Sequence, residues 1–178
     1  MATIVLVVGG QRSGKSRYAE GLVAASGLTP VYLAVAAAGD GEMAARIADH
    51  SRRRGDDWRT VEEPLDIAAV LARESAAGTV VLVECLTLWL SNLMGADRDI
   101  AAATDGLIDA LERTIGPVVL VSNEVGSGIM PDNALARRYA DALGILNQRV
   151  AAIATQVVLV AAGQPLLLKP NRQQEFDL

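Results

Sequence analysis

Thr3-Ile4-Val5-Leu6-Val7-Val8 runs directly into Gly9-Gly10-Gln11-Arg12-Ser13-Gly14-Lys15-Ser16, and Arg17-Tyr18-Ala19-Glu20-Gly21-Leu22-Val23 follows. The first run is apolar and rich in β-branched residues, as a buried strand requires. The last is amphipathic and reads as a helix. A strand, a glycine-bounded loop and a helix form the context in which G-x-x-x-x-G-K-[ST] signifies a phosphate cradle. Gly9 and Gly14 are expected to allow positive φ and close backbone approach. Successive N–H groups then converge on phosphate oxygens at a helix N-terminus. In that arrangement Lys15 reaches the β- and γ-phosphates of a nucleotide, and Ser16 offers a hydroxyl to Mg²⁺.

Working outward, Pro30 resets the chain and Val31–Ala36 reads as a second buried strand. Asp40 can cap a helix over about Gly41–Arg54, which Gly55-Asp56-Asp57 breaks. Trp58–Val61 is either a minor strand or an extended link, and Pro64 is expected to start the next helix. Thr79–Val83 is a third major strand, ending in Glu84-Cys85, and an apolar helix covers Leu86–Leu93. Ile100–Thr114 is helical, with Leu107, Ile108, Leu111 and Ile115 expected to face inward. Val118–Val121 is a fourth strand, closing on Ser122-Asn123-Glu124 and a glycine-rich loop, Val125–Pro131. A long helix from about Asn133 to Ala154 precedes a fifth strand, Val157–Val160, and Gly163-Gln164-Pro165 turns into Leu166–Leu168 as an edge hairpin. Continuous apolar strands alternating with helices predict an α/β fold, a mostly parallel sheet covered on both faces. Ligands of such sheets bind at the carboxyl ends of the strands. Gly9–Ser16, Ala34–Ala38, Glu84 and Asn123-Glu124 would then share one rim.

The chain has 178 residues and is 51% hydrophobic, enough for a sizeable core, and only 3% aromatic, so that core is mainly Val, Leu, Ile and Ala. We expect one domain over residues 1–170 and a polar tail over 171–178. A net charge of −5 argues against nucleic acid as a partner. No apolar run approaches the roughly 18 residues of a membrane span. The N-terminal apolar run lacks a basic n-region and is not read as a secretory signal. A single cysteine, Cys85, rules out an internal disulfide framework and fits a reducing, cytoplasmic setting; one Cys and one His argue against a zinc cluster.

Two residue sets carry candidate chemistry beyond the loop. Glu84 ends an apolar strand, where a carboxylate can hold Mg²⁺ or a metal-bound water; the alternative is a cap for the next helix. The phosphate loop favours the metal role. Glu124 is a second candidate, or it merely ties down the glycine-rich loop after it. His50 is the only histidine. Arg46, His50 and Arg54 are spaced by four, with Arg53 on the same helix face. Nearby cations favour neutral imidazole, which is a nucleophile, and the arginines could hold a polyphosphate against it. Alone, this pattern is better read as a solvated helix face, and the phosphate loop in the same small domain is what shifts the reading. Trp58 and Trp89 are read as packing residues and Cys85 as a buried strand-end residue. No N-K-x-D segment follows a strand, which weakens a regulatory GTPase reading.

Taken together, these segments resemble a known family. They are Gly9–Ser16, Asp40–Met43 with Arg46-Ile47 and His50, Trp58–Glu62, Glu84–Met94, Asn123–Pro131, Ala136-Arg137, Asp141, Gly144, Asn147-Gln148 and Gly163–Lys169. Nearly the whole chain is similar to the bifunctional adenosylcobinamide kinase/adenosylcobinamide-phosphate guanylyltransferases of cobalamin biosynthesis. The resemblance implies a RecA-like P-loop NTPase fold and a homotrimer. It implies phosphorylation of adenosylcobinamide by a nucleoside triphosphate such as ATP or GTP. GMP transfer from GTP to adenosylcobinamide phosphate would then give adenosyl-GDP-cobinamide. His50 matches the histidine that carries GMP, with Lys15 assisting. Nucleotide contacts would involve Gly9, Gly10, Gln11, Arg12, Ser13, Gly14, Lys15 and Ser16. Ala34, Val35, Ala36, Ser51, Arg52, Arg53, Arg54, Glu62 and Glu84 would complete the set, with Ser16 and Glu84 at Mg²⁺. Val35 stands where the family pattern has a hydroxyl residue, a contact that backbone groups can replace. The rival readings are a plain P-loop small-molecule kinase with no covalent step, and a nucleotide-switched binding module.

Overall fold

The computed structural model describes residues 2–35, 57–129 and 131–170. The β-branched run after Thr3 forms the interior strand β1, Ile4–Gly9, and the loop residues lead into helix α1, Lys15–Ala25. Then come β2 (Thr29–Ala34), β3 (Arg59–Glu62), α2 (Ile67–Glu74), β4 (Thr79–Glu84), α3 (Leu86–Gly95) and α4 (Ile100–Glu112). The chain continues through β5 (Val118–Asn123), α5 (Ala134–Ile153), β6 (Gln156–Ala161) and β7 (Gln164–Lys169). The strands make one seven-stranded sheet in the order β3-β2-β4-β5-β1-β6-β7. Every pairing is parallel except β6 with β7, which is the expected edge hairpin. The stretch from Trp58 thus resolves to a short parallel edge strand beside β2.

Strand alternation divides the core between the two faces. Ile4, Leu6 and Val8 of β1 join Ile67, Leu71, Trp89, Leu93, Leu107, Leu111, Leu146 and Val150, so α2 to α5 lie on one side. Val5 and Val7 face Ala19 and Val23 of α1 on the other, with Leu82 and Val121 from the neighbouring strands. Each fully buried Leu contributes about 1.5–3 kcal/mol of transfer free energy. Trp89 is buried, and its indole N–H donates to the Leu65 carbonyl at 2.7 Å. Trp58 meets Tyr32 edge to face with ring centroids 6.5 Å apart. Both tryptophans pack, as their scarcity suggests. Among the described residues no helix is long and apolar enough to cross a membrane.

Two boundaries differ from the sequence reading. The helix expected from Pro64 begins at Ile67, because the Glu63 carboxylate accepts from both the Leu65 and Asp66 N–H groups and holds those residues in a turn. Ile115, expected inside, is 70% exposed. Helix α4 ends at Glu112, and the Ser75 hydroxyl then binds the Ile115 and Gly116 N–H groups, so helical periodicity no longer applies at Ile115. The expected helix over about Gly41–Arg54, with Asp40, Arg46 and His50, lies outside the described residues.

Candidate active site

The sheet brings distant residues to one rim. Gly9 is in register with Asn123 on β5 and Val160 on β6. Glu84 is in register with Val121 of β5 and with Ala34 of β2, which in turn pairs with Glu62 of β3. A loop leaving β1 therefore has a carboxylate two strands away and an amide between them.

The loop's glycines are needed for two different reasons. Gly14 has φ +97° and stands as the N-cap of α1, a left-handed position that suits glycine. Gly9 does not take positive φ. A Cβ there would lie 2.4 Å from the Val160 carbonyl oxygen and 2.6 Å from Ser13 Oγ, so its requirement is room. The second left-handed residue of the loop is Arg12, at φ 56°. The loop is also braced from outside. The β6–β7 hairpin turns through Ala162 and Gly163, both at positive φ, as a two-residue turn of the primed type does. The Gly163 N–H donates to the Ser13 carbonyl at 2.8 Å.

Lys15 is buried, and its Nζ donates to the Gly10 carbonyl at 3.1 Å, folding the side chain back over the loop. Burial lowers its pKa from the usual lysine value, while the nearby Cys85 thiol and Glu84 carboxylate oppose that fall. Ser16 Oγ donates to Glu84 Oε1 at 2.6 Å, so the end of β4 and the first turn of α1 are in direct contact. Helix α3 starts at the N-cap Cys85, whose own side chain makes no cap bond. Cys85 is buried, and desolvation followed by the Glu84 charge raises its thiol pKa.

Of the two sequence readings for Glu124, its contacts match the tie: Oε1 accepts from the Gly126 N–H at 2.6 Å, and the Glu124 N–H donates to the Gly9 carbonyl at 3.0 Å. Glu62 is exposed at the end of β3. The backbone at Ala34 and Val35 is largely engaged. Ala34 O accepts from the Glu63 N–H, the Val35 N–H donates to Glu84 O, and Val35 O accepts from Asn92 Nδ2 at 2.9 Å. Ala36, His50, Ser51, Arg52, Arg53 and Arg54 lie outside the described residues.

Several positioning residues carried no sequence signal, apart from the place of Asn92, Thr87 and Asn147 in the quoted segments. Asn92 Nδ2 also donates to the Pro64 carbonyl at 3.0 Å, and with Trp89 it pins the exits of β2 and β3 to α3. Thr87 Oγ1 accepts from the Asn123 N–H at 2.8 Å, and Asn147 Nδ2 donates to the Asn123 carbonyl at 3.0 Å. The Tyr139 hydroxyl donates to the Thr87 carbonyl at 2.8 Å. Nothing in helical or strand periodicity marks such side-chain-to-backbone bonds.

Among solved structures, the chain resembles the RadB recombinase with a TM-score of 0.52 at 13% identity, over 88% of this chain and 73% of that one. It resembles an ATPase of a bacterial type III secretion system with a TM-score of 0.52 at 10% identity, over 88% of this chain and 50% of the other. These likenesses concern the fold, and they bear out the RecA-like phosphate-loop architecture. A family model described as cobinamide kinase / cobinamide phosphate guanyltransferase matches residues 5–168. The chain is 49% identical over 166 residues to the bifunctional adenosylcobalamin biosynthesis protein CobP of Pseudomonas aeruginosa, covering 92% of this chain and 96% of that protein. It is 40% identical over 181 residues to the bifunctional adenosylcobalamin biosynthesis protein CobU of Escherichia coli, covering 93% and 99%. With such identity across nearly the full length of both chains, and a family match running from β1 into β7, this chain belongs to the cobinamide kinase / cobinamide phosphate guanyltransferase family.

Proposed function

We propose that this protein phosphorylates adenosylcobinamide with a nucleoside triphosphate, ATP or GTP, and then transfers GMP from GTP to adenosylcobinamide phosphate through a histidine-bound GMP on His50. The observation that carries the reading is the 2.6 Å contact between Ser16 Oγ and Glu84 Oε1 at the foot of a Gly9–Ser16 loop, in a chain of this family. A hydroxyl and a carboxylate are hard oxygen donors, and together with substrate phosphates they suit Mg²⁺, which does not need a cage of protein ligands. Ser16 and Glu84 are the residues that would hold it. When bound, Mg²⁺ offsets the charge that develops on the phosphates.

In the first reaction the loop N–H groups and Lys15 hold the polyphosphate. The substrate hydroxyl oxygen bonds to the γ-phosphorus, the bond to the bridging oxygen breaks, and a nucleoside diphosphate leaves. In the second, a neutral imidazole nitrogen of His50 bonds to the α-phosphorus of GTP as pyrophosphate leaves. A phosphate oxygen of adenosylcobinamide phosphate then displaces the imidazole and gives adenosyl-GDP-cobinamide. Two easier displacements replace one difficult step. Gly9–Ser16, Ala34, Val35, Ala36, Ser51–Arg54, Glu62 and Glu84 are assigned to the nucleotide in this reading, within one domain over residues 1–170. A cytoplasmic location and a homotrimer belong to it as well; the free, buried Cys85 accords with the former, and light scattering checks the latter.

The test is label transfer. Protein incubated with Mg²⁺ and α-labelled GTP, then denatured, is expected to keep acid-labile, base-stable label, and His50→Ala is expected to keep none. Nucleotide binding without label on the wild type would overturn the covalent step and leave a plain kinase. Label on both proteins would move the nucleophile away from His50.

A further inference from the structure

Several carbonyl oxygens of the phosphate loop are held by named donors. Gly9 O accepts from the Glu124 N–H at 3.0 Å, one step beyond the Gly9–Asn123 position of the β1–β5 ladder. Gly10 O accepts from the Ser13 N–H at 3.2 Å and from Lys15 Nζ at 3.1 Å. Gly14 O accepts from the Tyr18 N–H at 3.0 Å, in the first turn of α1. Those bonds belong to the sheet, to the loop or to the helix. The bond to Ser13 O does not: its donor is the Gly163 N–H at 2.8 Å, in the turn between β6 and β7.

A peptide unit is planar, and in its trans form the C=O and N–H point opposite ways. The Ser13–Gly14 bond is trans. Holding Ser13 O against the hairpin therefore turns the Gly14 N–H away from the hairpin, at the N-cap of α1. Among the described residues no group accepts from that N–H. It joins the first N–H groups of the helix, which have no partner within the helix and can receive an anion.

The turn and the loop are in backbone-to-backbone contact, since a Cβ at Gly14 would lie 3.3 Å from Gly163 Cα. The hairpin is itself anchored at both ends. Val160, just before the turn, is buried. At the far end of β7, Lys169 Nζ donates to the Ala151 and Ala152 carbonyls of the last turn of α5, at 3.0 and 2.8 Å. A donor mounted this way fixes one peptide plane before any ligand arrives, so no reorganisation is needed on binding.

We propose that the Gly163 backbone N–H is a positioning group for polyphosphate: by holding the Ser13 carbonyl it keeps the Gly14 N–H aimed at an oxygen of the bound polyphosphate. This rests on the nucleotide assignment above. Gly163 acts through the Ser13–Gly14 peptide and not on the nucleotide itself. Without the brace that peptide can rotate and turn a carbonyl oxygen, instead of an N–H, towards the anion.

The experiment compares wild type with two changes at position 163 in the full chain. In one, glycolic acid replaces Gly163, so an ester oxygen stands where the N–H was and nothing else is altered. The other is Gly163→Asn, which keeps the N–H and suits a left-handed residue; a Cβ at Gly163 meets nothing within 4 Å. Calorimetry gives affinity for Mg·GTP and Mg·GDP, NMR follows the Gly14 amide against inorganic pyrophosphate, and urea gives stability. The ester is expected to weaken both nucleotides by about tenfold and to lose most of the pyrophosphate response of the Gly14 amide. Gly163→Asn is expected to bind both within about threefold of wild type, whatever its urea midpoint. An ester that binds as wild type does, or an equal loss of affinity in both variants, would overturn the proposal and leave the hairpin a packing element. A wild-type Gly14 amide indifferent to pyrophosphate would overturn it as well. A wild type that responds to pyrophosphate yet binds no Mg·GTP would instead sink the nucleotide reading, and the ester's pyrophosphate response would still decide the role of Gly163.

Discussion

A methyl group on Gly9 would meet the Val160 carbonyl at 2.4 Å and Ser13 Oγ at 2.6 Å. The serine can turn away, but the carbonyl is backbone and belongs to the sheet. Gly9→Ala must therefore push β1 and β6 apart at the point where the phosphate loop begins. Overpacking of this kind costs about 1–3 kcal/mol. We expect Gly9→Ala to lower the urea midpoint accordingly and to weaken Mg·GTP by about tenfold or more. Gly10→Ala, where a Cβ meets nothing within 4 Å, is the stability control and should leave the urea midpoint little changed. Similar behaviour of the two variants would show that the loop, not its contact with β6, sets the requirement. The glycine pattern was legible in the sequence, but the reason for its first member was not. That reason is an atom 151 residues further along the chain.

Among the elements, β3 is the most exposed parallel strand, four residues at the sheet edge. It is fastened to the end of α2 by Arg59, which donates to Glu74, while Arg73 Nε donates to the other carboxylate oxygen at 2.9 Å. The hydrogen bond from Arg59 is the main reason the Glu74 carboxyl falls from 4.5 to about 2; burial opposes it, and Arg73 adds to it. A depressed carboxylate pKa stabilises the fold above the ordinary value, and that stability is lost as pH falls from about 4.5 towards 2. Both arginine side chains are more than half exposed, which leaves no more than about 1 kcal/mol. Denaturation of wild type and Glu74→Gln should therefore differ at pH 6, and that difference should shrink steadily as pH falls from about 4.5 towards 2. A difference that stays constant over that range would mean the ion pair contributes nothing titratable. Strand β3 itself was only half legible: its short apolar content fits an extended link equally well, and pairing with β2 is what makes it a strand.

For the molecule as a whole, binding to the native site should be visible in global stability. The chain carries a net charge of −5, so attraction to a polyphosphate has to be local, and among the described residues Lys15 and the α1 N-terminus contribute to it. Free Mg·GTP at 100 times its Kd stabilises by about 2.7 kcal/mol, which for a chain this size is a rise in Tm of about 5–10 °C. Lys15→Ala should lose most of that rise in a thermal melt with and without Mg·GTP, while an undiminished shift would remove Lys15 from the binding role. Residue order was enough to read the strand-loop-helix unit at Gly9–Ser16, the alternation of apolar strands with helices, the C-terminal hairpin and the family resemblance. These depend on periodicity and on residue types within a few positions of one another. The folded chain alone reveals that β5 lies between β1 and β4, that Ser16 meets Glu84, that Gly163 braces Ser13, and that Ile115 points outward. Strand order and side-chain-to-backbone bonds join residues far apart in the chain, and local hydropathy carries no record of which distant partner a residue will meet.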